Sequence, residues 1–185
     1  MREFETYYLY DTTQGSDDWL HMRKGRITMS NIGKVVGHCP FIKHEPEHLA
    51  KLLKGEIKED FTPEAIERMR KGNEYEPIVR RALEKKLNRK IDETGFAVWK
   101  ADTRFGASLD GIIDEDTGIE IKCPAKVYWP LKKNKDMKDI SCIWDSHYDQ
   151  IIGNGAITGR KNMIYAVYGI EDKQLYIQNV KVDYD

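Results

Sequence analysis

The sequence predicts a mixed α/β domain, a mixed central β-sheet flanked by helices. Three observations predict it. Capped helical segments crowd the first half of the chain, two apolar-alternating runs bracket an acidic turn near residues 114–118, and a further helix precedes two closing strand-like runs. That order does not repeat a βαβ unit, which argues against a doubly wound parallel sheet. With 185 residues and no internal repeat, low-complexity tract or Gly/Ser/Pro linker, residues 1–185 read as a single domain with enough chain for a substantial core.

Each element has its own warrant. Residues 4–10 alternate loosely and read as a strand. Ser16 caps a short helix through Asp17, Trp19, Leu20 and Arg23, with acids in its first turn and a stop at Gly25. A second helix starts near Thr28 or Ser30 and ends at Gly37. The stretch holding His38, Cys39, His44 and His48 reads as a surface loop. His44 and His48 have the i,i+4 spacing of a helical zinc pair, but Pro46 stands between them and no second Cys is near. Thr62-Pro63-Glu64 opens a longer helix. Its buried stripe is Ile66, Met69, Tyr75, Ile78, Val79, Ala82, Leu83 and Leu87, and Pro77 is expected to kink or interrupt it near Gly72 and Asn73. Residues 96–99 read as a strand, residues 105–123 as a β-hairpin, residues 126–138 as a basic helix, residues 144–157 as another helix, and residues 163–169 and 175–182 as strands.

Composition excludes several functions. Thirty Lys and Arg against 31 Asp and Glu leave a net charge of −1, so a uniformly basic nucleic-acid binder is excluded and any attraction for polyanions is local. A mean hydropathy of −0.66 is balanced by 4 Trp, 10 Tyr and 5 Phe, too many aromatics for a disordered tail. No run reaches the roughly 18 apolar residues of a membrane span, and Met1-Arg2-Glu3-Phe4-Glu5 lacks a signal peptide's apolar stretch. Three cysteines cannot all pair internally, so a reducing cytoplasm is the expected compartment.

The chemistry concentrates in the predicted hairpin. Closed around residues 114–116, it sets Asp110 opposite Glu120 and Ser108 opposite Lys122, all four projecting from one face. Leu109, Ile113, Ile119 and Ile121 project from the other. Opposed residues have Cβ atoms about 4.5–5.5 Å apart, where like charges are destabilising, so two facing carboxylates call for a cation. Hard oxygen donors suit Mg²⁺, with Mn²⁺ as a substitute. Lys122, two residues past Glu120, is placed to orient or help deprotonate a water activated by that metal. The spacing argues for phosphodiester hydrolysis and no further.

Asp110…Glu120-Ile121-Lys122 resembles the PD-(D/E)xK nuclease core, with Leu109 where Pro is usual. Trp19…Arg23-Lys24-Gly25-Arg26-Ile27-Thr28-Met29-Ser30 resembles the opening motif of the lambda exonuclease family, also called YqaJ-like viral recombinases. Gly72-Asn73-Glu74-Tyr75-Glu76, Glu120-Ile121-Lys122-Cys123-Pro124 and Tyr148-Asp149-Gln150 resemble that family's later motifs, in the family's order. A second Gln often found two residues after the first is replaced here by Ile152.

The resemblance implies a restriction-endonuclease-like fold and a Mg²⁺-dependent exonuclease that digests one strand of duplex DNA from the 5′ end. It implies metal binding by Asp110, Glu120, the Ile121 carbonyl and Glu76, water positioning by Lys122, and contact with the site or the scissile phosphate by Gln150. Glu74 is the fallback should Glu76 be out of register. Arg23, Ser30 and Ser108 match a 5′-phosphate pocket, and Lys126 opens a lysine-rich run suited to tracking the DNA backbone. A ring-shaped homotrimer, a single-strand annealing partner, a role in phage or viral recombination and a host-cell cytosolic location are further implications. An endonuclease on the same core and a catalytically inactive DNA-binding module are the alternatives. Trp19 and Cys123 are expected in the core.

Overall fold

A computed structural model describes residues 1–39, 46–57, 61–127 and 140–183. Two sheets form its centre. The first has the order β1 (Arg2–Glu3), β2 (Tyr7–Tyr10), β4 (Phe96–Trp99), β5 (Phe105–Ala107) and β3 (Ile27–Thr28). The second has the order β6 (Gly111–Ile112), β7 (Thr117–Lys122), β8 (Asn162–Gly169) and β9 (Gln174–Lys181). Both are mixed, with β3 parallel to β5 and β7 parallel to β8 among antiparallel pairs. The β7–β8 crossover carries helix α5 (Asp145–Thr158), as a parallel connection requires.

Helices cover β7 and β8 on both faces. Alternate residues of β7 point opposite ways. Ile119 and Ile121 pack with Val79 and Leu83 of α4 (Pro63–Leu87), together with Ile164 and Ala166 of β8. Glu120 projects to the other face, toward α5. There Ile151 of α5 packs with Met163 and Tyr165 of β8, Leu109, and Tyr7 and Leu9 of β2. Leu109 and the two isoleucines therefore lie in different cores, not on the single apolar face expected of one hairpin.

The other departures are also physical. The chain over residues 105–112 does not form one long strand. β5 pairs in the first sheet and β6 in the second, so Ser108 and Asp110 sit at the crossover between sheets. The register of the turn itself holds, since Gly111 pairs with Ile119. Helix α4 is continuous through Pro77, and its buried positions are Val79, Arg80 and Leu83, while Ile66 and Ile78 are exposed. A third helix, α3 (Pro46–Lys54), occupies part of the expected histidine loop. His48 lies within α3, and His44 lies outside the described residues. The basic helix expected at 126–138 falls almost wholly outside them too. α1 (Asp17–Arg23) is capped by Ser16 as expected, and α2 (Met29–Val35) follows Thr28. Among the described residues no helix is long and apolar enough to cross a membrane.

Candidate active site

One cleft of about 410 Å³ gathers Glu76, Asp110, Glu120, Ile121, Lys122 and Gln150 together with Arg23, Ser30 and Ser108. These residues come from α1, α2, α4, the sheet crossover, β7 and α5. Lys126 alone stays out of it. That lysine is exposed and forms an ion pair with Glu171 at 3.4 Å. Glu74 is also absent, turned outward onto Arg70 at 3.0 Å.

The acids take separate partners. Glu120 is 1 % exposed, an unusual place for a carboxylate, and three donors satisfy it. Gln150 Nε2 donates to Oε1 at 2.7 Å, Asn154 Nδ2 donates to Oε2 at 3.0 Å, and Lys122 Nζ pairs with Oε1 at 2.7 Å. Lys122 Nζ also donates to Gln150 Oε1 at 3.0 Å. Asp110, one residue beyond the β6–β7 ladder, accepts from the Ile121 backbone N–H at 2.7 Å. Glu76 accepts from Arg80, one helical turn away, at 2.6 Å. The cation that two facing acids demand is thus supplied here by the Lys122 ammonium.

That compensation is incomplete. Burial, then the Asp110 charge, pushes the Glu120 carboxyl up to about 8. Burial and Asp110 also hold Glu76 up at about 7, and burial raises Asp110. Burial pulls the Lys122 ammonium down, but Glu120 and Asp110 outweigh it and raise it. Burial is the main reason these acids are held high, with Asp110 adding repulsion at Glu76 and Glu120. Among the described residues no three His, Cys, Asp or Glu side chains are gathered into a ready metal cage. The donors nevertheless suit a hard divalent cation in type and charge, since all are oxygen and all lie in one cleft.

The second half of the cleft is built around Trp19, which is not a core residue. Its Nε1 donates to Ser108 Oγ at 2.8 Å, and the Arg23 guanidinium lies 4.2 Å from its ring centroid. Arg23 donates to Ser30 Oγ at 2.8 Å and to Thr28 Oγ1 at 3.3 Å, and it does not pair with Asp17 or Asp18. Burial without an acid partner lowers Arg23 to about 10. A half-buried guanidinium with two hydroxyls at hand is an anion site in chemical terms. Cys123 lines the cleft and is half-buried, where burial pushes its thiol up to about 12.

Asn154 is the functional candidate that the sequence reading missed. The signal was its i,i+4 spacing from Gln150 on α5, which places both amides on one helix face; position 152, where a second Gln was looked for, faces the core instead.

A helix-flanked mixed sheet presenting Asp110, Glu120 and Lys122 from adjacent segments defines the restriction-endonuclease-like, PD-(D/E)xK class of fold. The match to the YqaJ-like viral recombinase domain runs over residues 18–161, and the chain belongs to that family. Two solved structures share the fold, the alkaline exonuclease LHK-Exo from Laribacter hongkongensis and the same exonuclease in complex with dAMP. Each is 22 % identical over 91 % of this chain and 83 % of the other, with TM-scores of 0.70 and 0.72. No curated protein matches.

Proposed function

We propose that this protein is a divalent-metal-dependent exonuclease that hydrolyses one strand of linear duplex DNA from the 5′ end. The observation that carries the reading is a single cleft holding an acid–lysine cluster beside an arginine–serine anion site. Membership of a recombinase family agrees with DNA as the partner, and phage or viral recombination is the proposed setting. The fold relative is an alkaline exonuclease that has been crystallised with dAMP, a nucleotide of the kind such digestion releases.

Asp110, Glu120 and Glu76, with the Ile121 carbonyl, would hold Mg²⁺ or Mn²⁺, which when bound supplies Lewis-acid stabilisation of the developing phosphate charge. The remaining steps belong to the chain. Arg23, Ser30 and Ser108 receive the 5′-terminal phosphate and so fix which phosphodiester lies over the acids. Lys122, held by Glu120 and Gln150, orients the attacking water in line with the leaving 3′ oxygen. Gln150 and Asn154 hold Glu120 in place for this. The products carry 5′-phosphates. A homotrimer working with a single-strand annealing protein is the assembly proposed with this activity.

Linear duplexes labelled at either the 5′ or the 3′ end, incubated with Mg²⁺, test the reading. Early release of the 5′ label with a covalently closed circle left intact is the expected result. Linearised circles would make the protein an endonuclease, and no digestion of either substrate would overturn the hydrolase reading.

A further inference from the structure

A second cavity, of about 460 Å³, shares Arg23 with the cleft and contains none of its acids. It lies among α1, α2 and α3, and among the described residues its lining includes Arg23, Lys24, Arg26 and Lys34 but no Asp or Glu. That is unusual in a chain of net charge −1. Some basic residues elsewhere are matched to acids, as in Arg2 with Asp11, Arg89 with Asp114 and Arg104 with Asp102, while others stand singly on the surface; here several share one cavity. Arg23, Lys24 and Arg26 have no ion-pair partner among the described residues.

Their positions are fixed all the same. Arg26 donates through Nε to the Thr103 carbonyl at 3.1 Å and through its terminal nitrogen to the Met22 carbonyl at 2.6 Å, which orients the guanidinium without neutralising it. The stem of Lys24 crosses Gly55, where a built Cβ would come within 2.9 Å of Lys24 Cε. Gly55 also has φ +70, so the residue that ends α3 is also the one that admits the lysine. The floor is apolar, formed by Leu20, Leu49 and Leu53. Arg23, Lys24 and Arg26 beside an apolar floor match a polynucleotide strand, with phosphates at the rim and bases or sugars below.

We propose that this basin binds single-stranded nucleotides lying 5′ of the phosphate held at Arg23. The protein then accepts duplex ends that carry a 5′ extension as well as flush ends. This rests on the nuclease reading of the adjoining cleft. A pocket for a terminal phosphate alone needs no further cations behind its arginine, and cations gathered beside Arg23 raise the attraction for a longer polyanion.

The test compares binding of labelled duplexes to the full chain by fluorescence anisotropy, in Ca²⁺ to prevent turnover, across a salt series. One duplex has flush 5′-phosphorylated ends, one a short single-stranded 5′ extension, and one a 3′ extension of equal length. Wild type is expected to bind the 5′-extended duplex about tenfold more tightly than the flush one, with a salt slope steeper by about 0.7 per added phosphate contact. Lys24→Glu, alone or with Asn31→Asp, removes that advantage while flush-end affinity stays within about twofold. Lys24→Arg keeps it. Equal affinity for flush and 5′-extended ends in wild type, the same gain from a 3′ extension, or an advantage that survives Lys24→Glu with Asn31→Asp would each overturn the basin. Failure of every duplex to bind would overturn the nuclease reading beneath it.

Discussion

Glu120 cannot leave water without replacing the hydrogen bonds it loses there, and on β7 it is almost fully buried at the base of the cleft. Gln150, Asn154 and Lys122 make that replacement, so changes at these positions have separable consequences. Lys122→Ala removes the ammonium that pairs with Glu120. The attacking water then loses the donor that orients it, and turnover is expected to fall by about 10²–10⁴-fold with duplex binding retained. Comparable turnover by this variant in a single-turnover assay would refute the positioning role. Asn154→Leu strips one donor from a buried oxygen and is expected to cost about 1–3 kcal/mol in urea unfolding. Arg23→Ala should narrow the preference for 5′-phosphorylated over 5′-hydroxyl ends, and an unchanged ratio would count against the pocket. The main acids and the lysine could be read from residue type and spacing. Trp19 could not, because an aromatic on a short amphipathic helix looks the same whether it serves the core or a cleft, and Asn154 left only its i,i+4 spacing from Gln150.

At the scale of elements, α2 and α5 carry the two halves of the site, Ser30 on one and Gln150 on the other, and they touch where Gly33 meets Ser146. A Cβ at position 33 would lie 2.7 Å from Ser146 Cβ and 2.9 Å from its Cα, and backbone cannot swing aside as a side chain can. Gly33→Ala is therefore expected to destabilise the fold by about 1–3 kcal/mol through overpacking, despite alanine's better helix propensity. It should also separate the phosphate pocket from the acids, lowering kcat/KM on 5′-phosphorylated duplex more than the stability loss alone explains. Thermal melts and steady-state kinetics on the same variant would show it. Helices with local signals, such as the Ser16 cap of α1 and the Thr62-Pro63 start of α4, were legible in the sequence. The start of α3 was not, because Pro46 was counted as a barrier between two histidines when it is a first-turn proline. Pro77 does not interrupt α4, because packing of Val79 and Leu83 carries the helix through it. The division of residues 105–112 between two sheets left no trace in the alternation pattern, since both sheets share the same period.

For the molecule as a whole, near-neutral charge hides an uneven distribution, with raised acids on one side of Arg23 and unpaired cations on the other. In the lysine run that follows Lys122, Lys126 pairs with Glu171 and the lysines beyond it lie outside the described residues; three-dimensional pairing decides which charges remain, and a sequence does not display it. The acids make the whole fold sensitive to pH in a defined direction. Glu76 at about 7 and Glu120 at about 8 bind protons more tightly folded than unfolded, where a glutamate titrates near 4.3. Between about pH 4.5 and 8 the folded state therefore holds more protons, and stability falls as pH rises through that window. A divalent cation in the cleft favours the ionised acids and opposes the fall. Melting temperatures in EDTA should decline from about pH 5 to pH 8, and Mg²⁺ should flatten the decline while releasing protons in unbuffered solution. If the EDTA curve rose over that range, or Mg²⁺ released no protons at neutral pH, the acids would not be the held-back charges that their burial implies, and the case for a metal between them would fall with it.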